Sequence, residues 1–410
     1  MKTLSQETPL YKKKVMIVSY THIVNGEHTT IGGPALALKG YLYNRVKNLV
    51  CIWQPLPISD TLSILVDEFK DGKIVRTFRL PIPNWPIGRK KPISFIYIIL
   101  KLRDILSIFI SILIFRTRFD IFVGAEALNA SIGICLRRLG LVKKVIYYNF
   151  DYGTNRFTQP VLNALFHFLD TFAVSYADAT WSLSETIVTE RTKRMGAGKN
   201  GFQIVVPVGI DFYRIKRLPT EAIDKKRIVY LGVLMKQQGV QLLIGAFARV
   251  ARQDLKAKLL IIGSGDFEAD LRQMVNDYKI AERVEFTGII SDEEVEKLLC
   301  GSAMGIAPYV DDPFSNKRFT EPTKPKTYLG CGLPVIITRV PSIALDIEKE
   351  GAGVAINYDK DELASAINRF LSDERLLNEY RMNATRFASK YDWANIYDNA
   401  FKSSLDKLCA

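Results

Sequence analysis

Residues 229–247 read VYLGVLMKQQGVQLLIGAF. An apolar run ends at a glycine, and after a short polar loop the apolar residues return at helical spacing. This order predicts a buried strand, a tight loop and a helix that covers the sheet. The same alternation of strand and helix runs through most of the 410 residues. It predicts an α/β fold in which helices cover parallel sheets.

The alternation is interrupted once, at 209–227, where the chain is charged and contains a proline. Because the chain is longer than one ordinary domain, we predict two doubly wound Rossmann-like domains that face a cleft. They would comprise residues 1–210 and 211–390, with a link near 209–226. We expect substrates in that cleft, since such sheets bind ligands beyond the carboxyl ends of their strands. Asp71 and Gly72, between two apolar runs, predict a hairpin.

The net charge of +13 comes from the first half of the chain. Residues 1–200 hold 27 Lys and Arg against 14 Asp and Glu, whereas residues 201–410 hold 29 of each. The excess indicates either an anionic partner or a solvated basic face. A nucleic-acid partner is not expected, because no motif interleaves aromatic with basic residues. Five dispersed cysteines and a polar N-terminus predict a cytoplasmic protein with reduced thiols.

Residues 92–115, PISFIYIILKLRDILSIFISILIF, predict a helix with a narrow polar stripe. Its longest uncharged run, Ile105–Phe115, has eleven residues and is too short to span a bilayer. Such a helix either is buried or lies in a membrane interface. The flanking clusters 89–91 (RKK) and Arg116 with Arg118 favour the interface. We therefore expect an anionic membrane surface as a partner and a peripheral location on the inner face of the cell membrane.

A short helix is also predicted within residues 320–336, TEPTKPKTYLGCGLPVI. Lys324 and Lys326 fall at its N-terminus, where the helix dipole disfavours cations. Lys236 lies in the loop that follows the strand of residues 229–231. One interpretation is that the three lysines and the helix N-terminus bind an anion. The alternative is that the lysines are merely solvated.

Taken in order, several motifs resemble the GT-B retaining glycosyltransferases of the family four type, the glycosyl transferases group 1. They are IGGPALALKGYL, PVGIDFYRI, VYLGVLMKQQGVQLLIGAF, LLIIGSGDFEADL, RVEFTGIISDEEVEKLL, AMGIAPYV, KTYLGCGLPVI and YDWANIYDNAF. The resemblance implies an enzyme that transfers a sugar, with retention, from a nucleotide-sugar donor. The acceptor would be lipid-linked or a glycan, in the synthesis of cell-surface polysaccharide or glycoconjugate. Neither a cofactor nor a metal is expected.

In such a protein the first domain would bind the acceptor and the second domain the donor. A closing helix, residues 391–410, would pack back on the first domain. Two glycines, Gly32 and Gly33, would form a glycine-rich loop in the first domain. The candidate donor-binding residues are Gly232, Lys236, Gly263, Gly288, Thr323, Lys324, Lys326 and Thr327, of which the three lysines follow from the charge at the helix N-terminus and not from the resemblance.

The chain departs from the family pattern at four donor-binding positions. Val233 stands where the family usually has Arg, Gln238 where it has Lys, and Phe319 and Thr327 where it has a pair of glutamates. We expect the lysines of the short helix and its facing loop to bind the donor diphosphate instead, and Thr327 to bond a ribose hydroxyl. The alternative is a catalytically inactive GT-B protein that binds a nucleotide or glycan. A nicotinamide dehydrogenase is not favoured, since the glycine fingerprint of the second domain is incomplete.

The candidate acceptor-contacting residues all follow predicted strands of the first domain. Asp151 is the first choice and His22 the second; Glu126 holds a similar position. Each is alternatively a helix cap or loop residue. His167 lies in an apolar helical stretch and is interpreted as structural.

Overall fold

The computed structural model describes residues 10–24, 27–28, 33–56, 59, 63–80, 94–150, 152–154, 156–157, 159–196, 201–311 and 322–409. The chain forms two compact units, Met1–Pro207 with Tyr397–Ala410, and Val208–Ile396. Each unit is built on one large sheet, parallel except at one edge of the first. The predicted class, two doubly wound α/β domains, is confirmed.

The main sheet of the first unit has eight strands and mixes parallel and antiparallel pairs. The strands of this unit are β1 (Lys14–Thr21), β2 (Ile23–Val24), β3 (Glu27–His28), β4 (Asn48–Pro55), β5 (Leu65–Lys70), β6 (Lys73–Arg79), β7 (Phe119–Ala125), β8 (Val142–Asn149), β9 (Ala179–Ser182) and β10 (Gln203–Val205). Their order in the sheet is β10-β9-β8-β7-β1-β4-β5-β6, and β2 pairs with β3 separately. Only β5 and β6 at one edge run antiparallel to their neighbours. They are joined by Asp71 and Gly72 with φ of 47° and 78°, so the predicted hairpin is confirmed.

Helices connect and cover these strands. They are α1 (Gly33–Leu42), α2 (Ser94–Phe115), α3 (Glu126–Arg138), α4 (Pro160–Tyr176) and α5 (Glu185–Met195). The C-terminal helix, Trp393–Cys409, also contributes to this unit from Tyr397 onward. Its Tyr397 Oη donates to the carbonyl of Pro34 over 2.5 Å, and Trp181 Nε1 donates to Ser404 Oγ over 3.0 Å. These bonds attach the last helix to α1 and to β9.

Helix α2 has its polar side inward. Asp104, Ser107 and Ser111 of the predicted polar stripe are buried. The Ser107 hydroxyl donates to the Asp104 carbonyl over 2.6 Å, and Gln54 Nε2 of β4 donates to the same carbonyl over 3.0 Å. Leu100, Ile108 and Ile112 of α2 are buried as well, but other apolar residues of the helix lie outside. Three leucines are 60%, 51% and 71% exposed: Leu102, Leu106 and Leu113.

The second unit contains a wholly parallel six-stranded sheet. Its strands are β11 (Asp224–Leu231), β12 (Lys258–Ile262), β13 (Val284–Gly288), β14 (Ser302–Ala307), β15 (Val335–Thr338) and β16 (Gly353–Ile356). Its helices are α6 (Val240–Gln253), α7 (Glu268–Asp277), α8 (Asp292–Cys300), α9 (Thr323–Gly330), α10 (Ile343–Lys349), α11 (Lys360–Ser372) and α12 (Glu374–Ala388), followed by the C-terminal helix, α13. The sheet order is β13-β12-β11-β14-β15-β16. The order reverses beside β11, which creates a switch point at that strand.

The chain enters the second unit at Val208, and the entering segment pairs with the segment that leaves it. The N–H of Ile210 donates to the Tyr391 carbonyl over 2.9 Å, and the N–H of Trp393 donates to the Ile210 carbonyl over 3.2 Å. A Cβ on Gly209 would lie 2.6 Å from the Trp393 ring, so the backbone passes directly against the indole. Residues 209–226, predicted as a link, therefore lie inside the second unit.

Lys326 is a buried structural residue of this unit. Its side chain is fully buried, and its Nζ donates to the Val208 carbonyl over 2.6 Å and lies 4.1 Å from the Tyr391 ring centroid. The prediction that Lys326 faces the same anion as Lys324 is therefore not supported. The physical reason is helix geometry: residues two apart on a helix point roughly 200° apart around its axis.

We predict that Lys326→Met destabilises the protein without changing its affinity for a nucleoside diphosphate. The substitution leaves the buried Val208 carbonyl without this donor, which costs about 1–3 kcal/mol of unfolding free energy. Urea unfolding measures the loss, and calorimetry measures the affinity. Lys256→Met at an exposed position is the matched control and should change neither. A Lys326→Met protein of normal stability would contradict this assignment.

Candidate functional site

Three neighbouring strands of the second unit end in glycine turns that lie against one another. Gly232, Gly263 and Gly288 follow or end β11, β12 and β13, with φ of 143°, 125° and 68°. The N–H of Gly232 donates to the Ile262 carbonyl over 2.9 Å, and the N–H of Gly263 donates to the Gly288 carbonyl over 3.0 Å. Positive φ at these positions favours glycine. The turns form the carboxyl edge of the sheet, where doubly wound sheets bind ligands.

The turns also approach too closely for any side chain between them. A Cβ on Gly263 would lie 2.2 Å from the Gly232 carbonyl oxygen, and one on Gly265 would lie 2.3 Å from the Leu234 carbonyl oxygen. The partial glycine fingerprint of the sequence thus serves the packing of two turns. This packing leaves a surface of backbone atoms at the ends of β11 and β12.

Tyr328 attaches α9 to this edge. Its ring lies on Gly305 of β14, where a Cβ would be 2.5 Å from the ring. Its hydroxyl accepts from the N–H of Leu231 over 2.6 Å and donates to the Ile306 carbonyl over 3.3 Å. Burial raises the pKa of the Tyr328 hydroxyl well above its ordinary value, so the group remains a neutral donor and acceptor. The first turn of α9 is thereby held beside the ends of β11 and β14.

Lys324, the second residue of α9, places its ammonium in front of the Gly232 turn. The Nζ atom lies 3.0 Å from Tyr230 Oη, 3.4 Å from Gln238 Oε1 and 4.1 Å from the Tyr230 ring centroid. A Cβ on Gly232 would lie 2.8 Å from this nitrogen. The Tyr230 hydroxyl donates onward to the Val233 carbonyl over 3.2 Å, and burial raises its pKa. Tyr230 and Gln238 are both neutral, and they position the ammonium in front of the turn.

The other predicted donor-binding side chains of this region lie on α9 and in the turn between β11 and α6. Thr323 is the exposed first residue of α9, and the Thr327 hydroxyl donates to its carbonyl over 3.2 Å. Lys236 is exposed in the short 3-10 turn Lys236–Gln238. Pro325 is the third helical residue and has no N–H, so this N-terminus offers one backbone donor fewer than usual. Phe319 lies outside the described residues.

The sequence does not reveal the contacts that two residues of this site make. In the sequence, Tyr230 is only part of a buried strand, and Gln238 only stands where the family usually has a lysine. Both touch the Lys324 ammonium. The available signal for Tyr230 was its position two residues before Gly232, which places it on the same side of the strand as the turn glycine.

In the first unit the predicted residues are only partly described. His22 directly follows β1 and is half-buried, and Gly33 begins α1 with open space beside its Cα. Asp151 and Gly32 lie outside the described residues. His167 Nε2 lies 2.9 Å from the Thr154 carbonyl, a contact in keeping with its interpretation as structural.

Glu126 occupies a distinctive position at the edge of this sheet. It directly follows β7, the strand that neighbours β1 where the direction of the connections reverses. Its φ is +69°, a strained value for a residue other than glycine and one that concentrates at functional sites. Its carboxylate forms an ion pair with Arg156, with 3.3 Å between Oε2 and Nη1.

Among the described residues, no three His, Cys, Asp or Glu side chains group closely enough to hold a metal ion. The expectation that the protein works without a metal remains a prediction.

Sequence comparison finds a family match within the second unit. Residues 225–373 match the family model described as glycosyl transferases group 1. An uncharacterised glycosyltransferase of Methanocaldococcus jannaschii is 28% identical over 192 residues, which cover 45% of this chain and 47% of that protein. The alpha-monoglucosyldiacylglycerol synthase of Streptococcus pneumoniae is 26% identical over 195 residues, which cover 44% of this chain and 42% of that protein. The chain thus spans less than half the length of these relatives.

Solved structures extend the likeness in fold to nearly the whole chain. Anabaena HepE in complex with UDP superposes with a TM-score of 0.64 at 15% identity, covering 95% of this chain and 99% of that one. Sucrose-phosphate synthase from Thermosynechococcus elongatus superposes with the same TM-score, 0.64, at 16% identity, covering 96% and 100% of the two chains. Together, these comparisons show that residues 225–373 resemble the glycosyl transferases group 1 family and that the chain shares the two-domain α/β fold of these solved structures, the GT-B fold.

Proposed function

We propose that this protein is a retaining glycosyltransferase that takes its sugar from a nucleotide-sugar donor. The observation that carries the proposal is the Lys324 ammonium, held in front of the Gly232 turn at the start of α9. The donor would bind at this edge of the second unit. Its diphosphate would lie against the ammonium and the first N–H groups of α9.

The chemistry needs little more than this arrangement. When the sugar leaves, negative charge grows on the nucleoside diphosphate and must be stabilised. A helix N-terminus and a lysine supply that stabilisation together, because both place positive charge at one point. In this proposal Lys324 takes the role of the basic residues replaced by Val233 and Gln238. Gln238 keeps a part in the site by contacting the same ammonium.

For the acceptor we propose a lipid-linked molecule or a glycan, used to build cell-surface polysaccharide or glycoconjugate. The support comes from the names of similar proteins, which include the synthase of S. pneumoniae already described and a putative colanic acid biosynthesis glycosyltransferase of Escherichia coli. Asp151 and His22 remain our proposed acceptor contacts. The second candidate function is an inactive nucleotide- or glycan-binding protein, favoured by the four altered donor-binding positions.

A donor panel tests the proposal. Nucleotide sugars with different bases and sugars are added singly, and the melting temperature is measured, because a ligand that binds only the folded protein raises it. The stabilising donor is then supplied in radiolabelled form with membrane lipids and glycans, and the anomeric configuration of the product is determined by NMR. Transfer with retention supports the enzyme. Binding without transfer or hydrolysis supports the inactive alternative, and the absence of any stabilising donor contradicts both.

We predict that Lys324→Ala weakens binding of the free nucleoside diphosphate about 10- to 100-fold, the worth of one hydrogen bond to a charged group. Lys324→Glu should abolish binding. Lys236→Ala is the matched control and should have a smaller effect, since its exposed side chain has no helix terminus behind it. Calorimetry measures each affinity. Equal affinities in wild type and Lys324→Ala would remove the basis of the donor site.

We predict that Thr327→Val costs about 0.5–1.5 kcal/mol of donor affinity, the usual net value of one neutral hydrogen bond. The hydroxyl already donates to the Thr323 carbonyl, so it would accept from a ribose hydroxyl. Comparing the nucleoside diphosphate with its 2′,3′-dideoxy analogue localises the contact. Thr327→Val should bind the nucleoside diphosphate more weakly than wild type does. Its affinity for the dideoxy analogue should change little. Equal losses for both would show that Thr327 acts through the helix alone.

We also propose that the protein works in the cytoplasm, on the inner face of the cell membrane, through the exposed surface of α2 and α4. Both helices have apolar outer sides: the exposed leucines of α2, and in α4 Val161, Leu165, Phe168 and Tyr176. The acidic residues of α2, α3 and α4 are all ion-paired: Asp104, Glu126 and Asp170. Arg116, Arg118 and Arg138 are exposed nearby. An apolar surface with a basic border suits an anionic bilayer.

In the described part of the chain, the structure contains no helix with the length and apolar character needed to cross a membrane.

We predict that changing Leu102, Leu106 and Leu113 to Ser lowers binding to anionic vesicles at least about tenfold at high salt, because burying one leucine stabilises by roughly 1.5–3 kcal/mol. Changing Arg116, Arg118 and Arg138 to Gln should remove much of the salt-sensitive part, at about 1 kcal/mol per arginine. Co-sedimentation at two salt concentrations measures both. The double variant Leu255→Ser and Leu345→Ser, at exposed leucines of the second unit, is the control. Wild-type protein that stays in the supernatant at low salt would end the membrane proposal.

A further inference from the structure

The first unit contains a mainly apolar pocket between α2, α3 and α4. Its volume is about 230 Å³, and its walls include Leu128, Leu162, Leu165, Phe166 and Leu169. These residues lie on α3 and α4, whose N-termini meet the carboxyl edge of the sheet. The pocket therefore lies where an acceptor would bind in a doubly wound domain. Its apolar walls favour hydrocarbon over a glycan, which would need many polar partners.

One end of the pocket is charged. Glu126, Arg156 and Lys101 line it. The Lys101 ammonium lies 3.8 Å from the centroid of the Tyr20 ring, and Arg156 lies 5.0 Å from that of Phe166. Aromatic rings thus support both cations from inside the pocket. The pocket has an apolar body and a polar end, as an amphiphile has.

The polar end coincides with the strained residue of the sheet edge. Glu126 begins α3 with φ of +69° and forms the ion pair with Arg156. A Cβ on the nearby Gly124 would lie 2.4 Å from the backbone nitrogen of Ala130, so the turn from β7 into α3 is tightly packed and fixes Glu126 in this conformation. A head group at this end would meet two cations and one carboxylate among the described lining residues.

The apolar end is continuous with the outer surface of α4. Leu165 lines the pocket and is also 52% exposed. Val161 and Phe168 extend the same exposed stripe, at spacings of four and three residues from Leu165 that place them on one side of the helix. A hydrocarbon chain that leaves the pocket at Leu165 would meet this apolar surface and not water.

We propose that this pocket binds an amphiphilic lipid acceptor with an anionic head. The head would lie at Glu126, Arg156 and Lys101, and the first part of its hydrocarbon chain would lie among the leucines of α3 and α4. The proposal deepens the proposed function, on which it rests, because it selects a lipid from the acceptors considered there.

Calorimetry with dodecyl phosphate, below its micellar concentration and without any donor, tests the pocket separately from the donor site. Wild-type protein should bind it, and should bind inorganic phosphate far more weakly. Leu165→Glu should weaken binding at least tenfold, since it places a carboxylate at the pocket mouth at a half-exposed, tolerant position. Phe168→Glu, on the same stripe but outside the pocket, is the comparison variant and should weaken binding much less than Leu165→Glu does. Melting curves verify that each variant folds.

Two further variants separate the two ends of the pocket. Leu162→Trp should block the chain site by filling it, without adding charge. Arg156→Gln should weaken dodecyl phosphate several-fold and leave binding of the neutral dodecyl maltoside unchanged. The proposal is overturned if wild type does not bind dodecyl phosphate. It is also overturned if Leu165→Glu and Phe168→Glu lose affinity equally, which would indicate the outer surface and not the pocket. If dodecyl phosphate binds as expected while no nucleotide sugar binds, the pocket stands and the transferase proposal fails.

Discussion

The carboxyl edge of the second unit's sheet, where we propose that the donor binds, depends on close contact between backbone turns. The carbonyl of Gly232 lies where a side chain on Gly263 would be, and the carbonyl of Leu234 lies where one on Gly265 would be. Two strands can end this close together only if their turns carry no Cβ. The resulting surface is narrow and consists of backbone atoms, so a positively charged side chain must come from another element. Helix α9, which Tyr328 attaches to this edge, supplies Lys324.

Lys324 and Lys326 lie within one turn of α9, but their side chains have different roles. Lys324 points to the glycine turns and is held by a neutral phenol and a neutral amide. Lys326 points inward and holds the segment through which the chain enters the unit. Burying an ammonium requires compensating contacts, and here the Val208 carbonyl accepts a hydrogen bond while the Tyr391 ring adds a cation–π contact. A charged residue near a ligand site in sequence is therefore not necessarily part of it.

In the first unit, the position of apolar residues is the reverse of what their type suggests. Helix α2 buries serines and an aspartate and exposes leucines, because its polar groups find partners on β4 and within the helix itself. The outer sides of α2 and α4 are consequently apolar, and the pocket between them opens toward the same surface. In the proposed function, surface and pocket would serve one purpose, since a lipid acceptor must be extracted from the membrane on which the enzyme works.

The sequence by itself determined the alternation of strands and helices, the β5–β6 hairpin and the glycine turns at the carboxyl edge of the second unit's sheet. These follow from local patterns: apolar periodicity, turn residues and the intolerance of tight backbone contacts for side chains. Only the tertiary structure decided which side of each helix is buried. Periodicity shows that α2 has a polar stripe. It does not show that Gln54 of β4 is buried beside this stripe and donates to the Asp104 carbonyl. It likewise cannot show that Val208 accepts from Lys326, because partners over a hundred residues apart are brought together only by the packed fold.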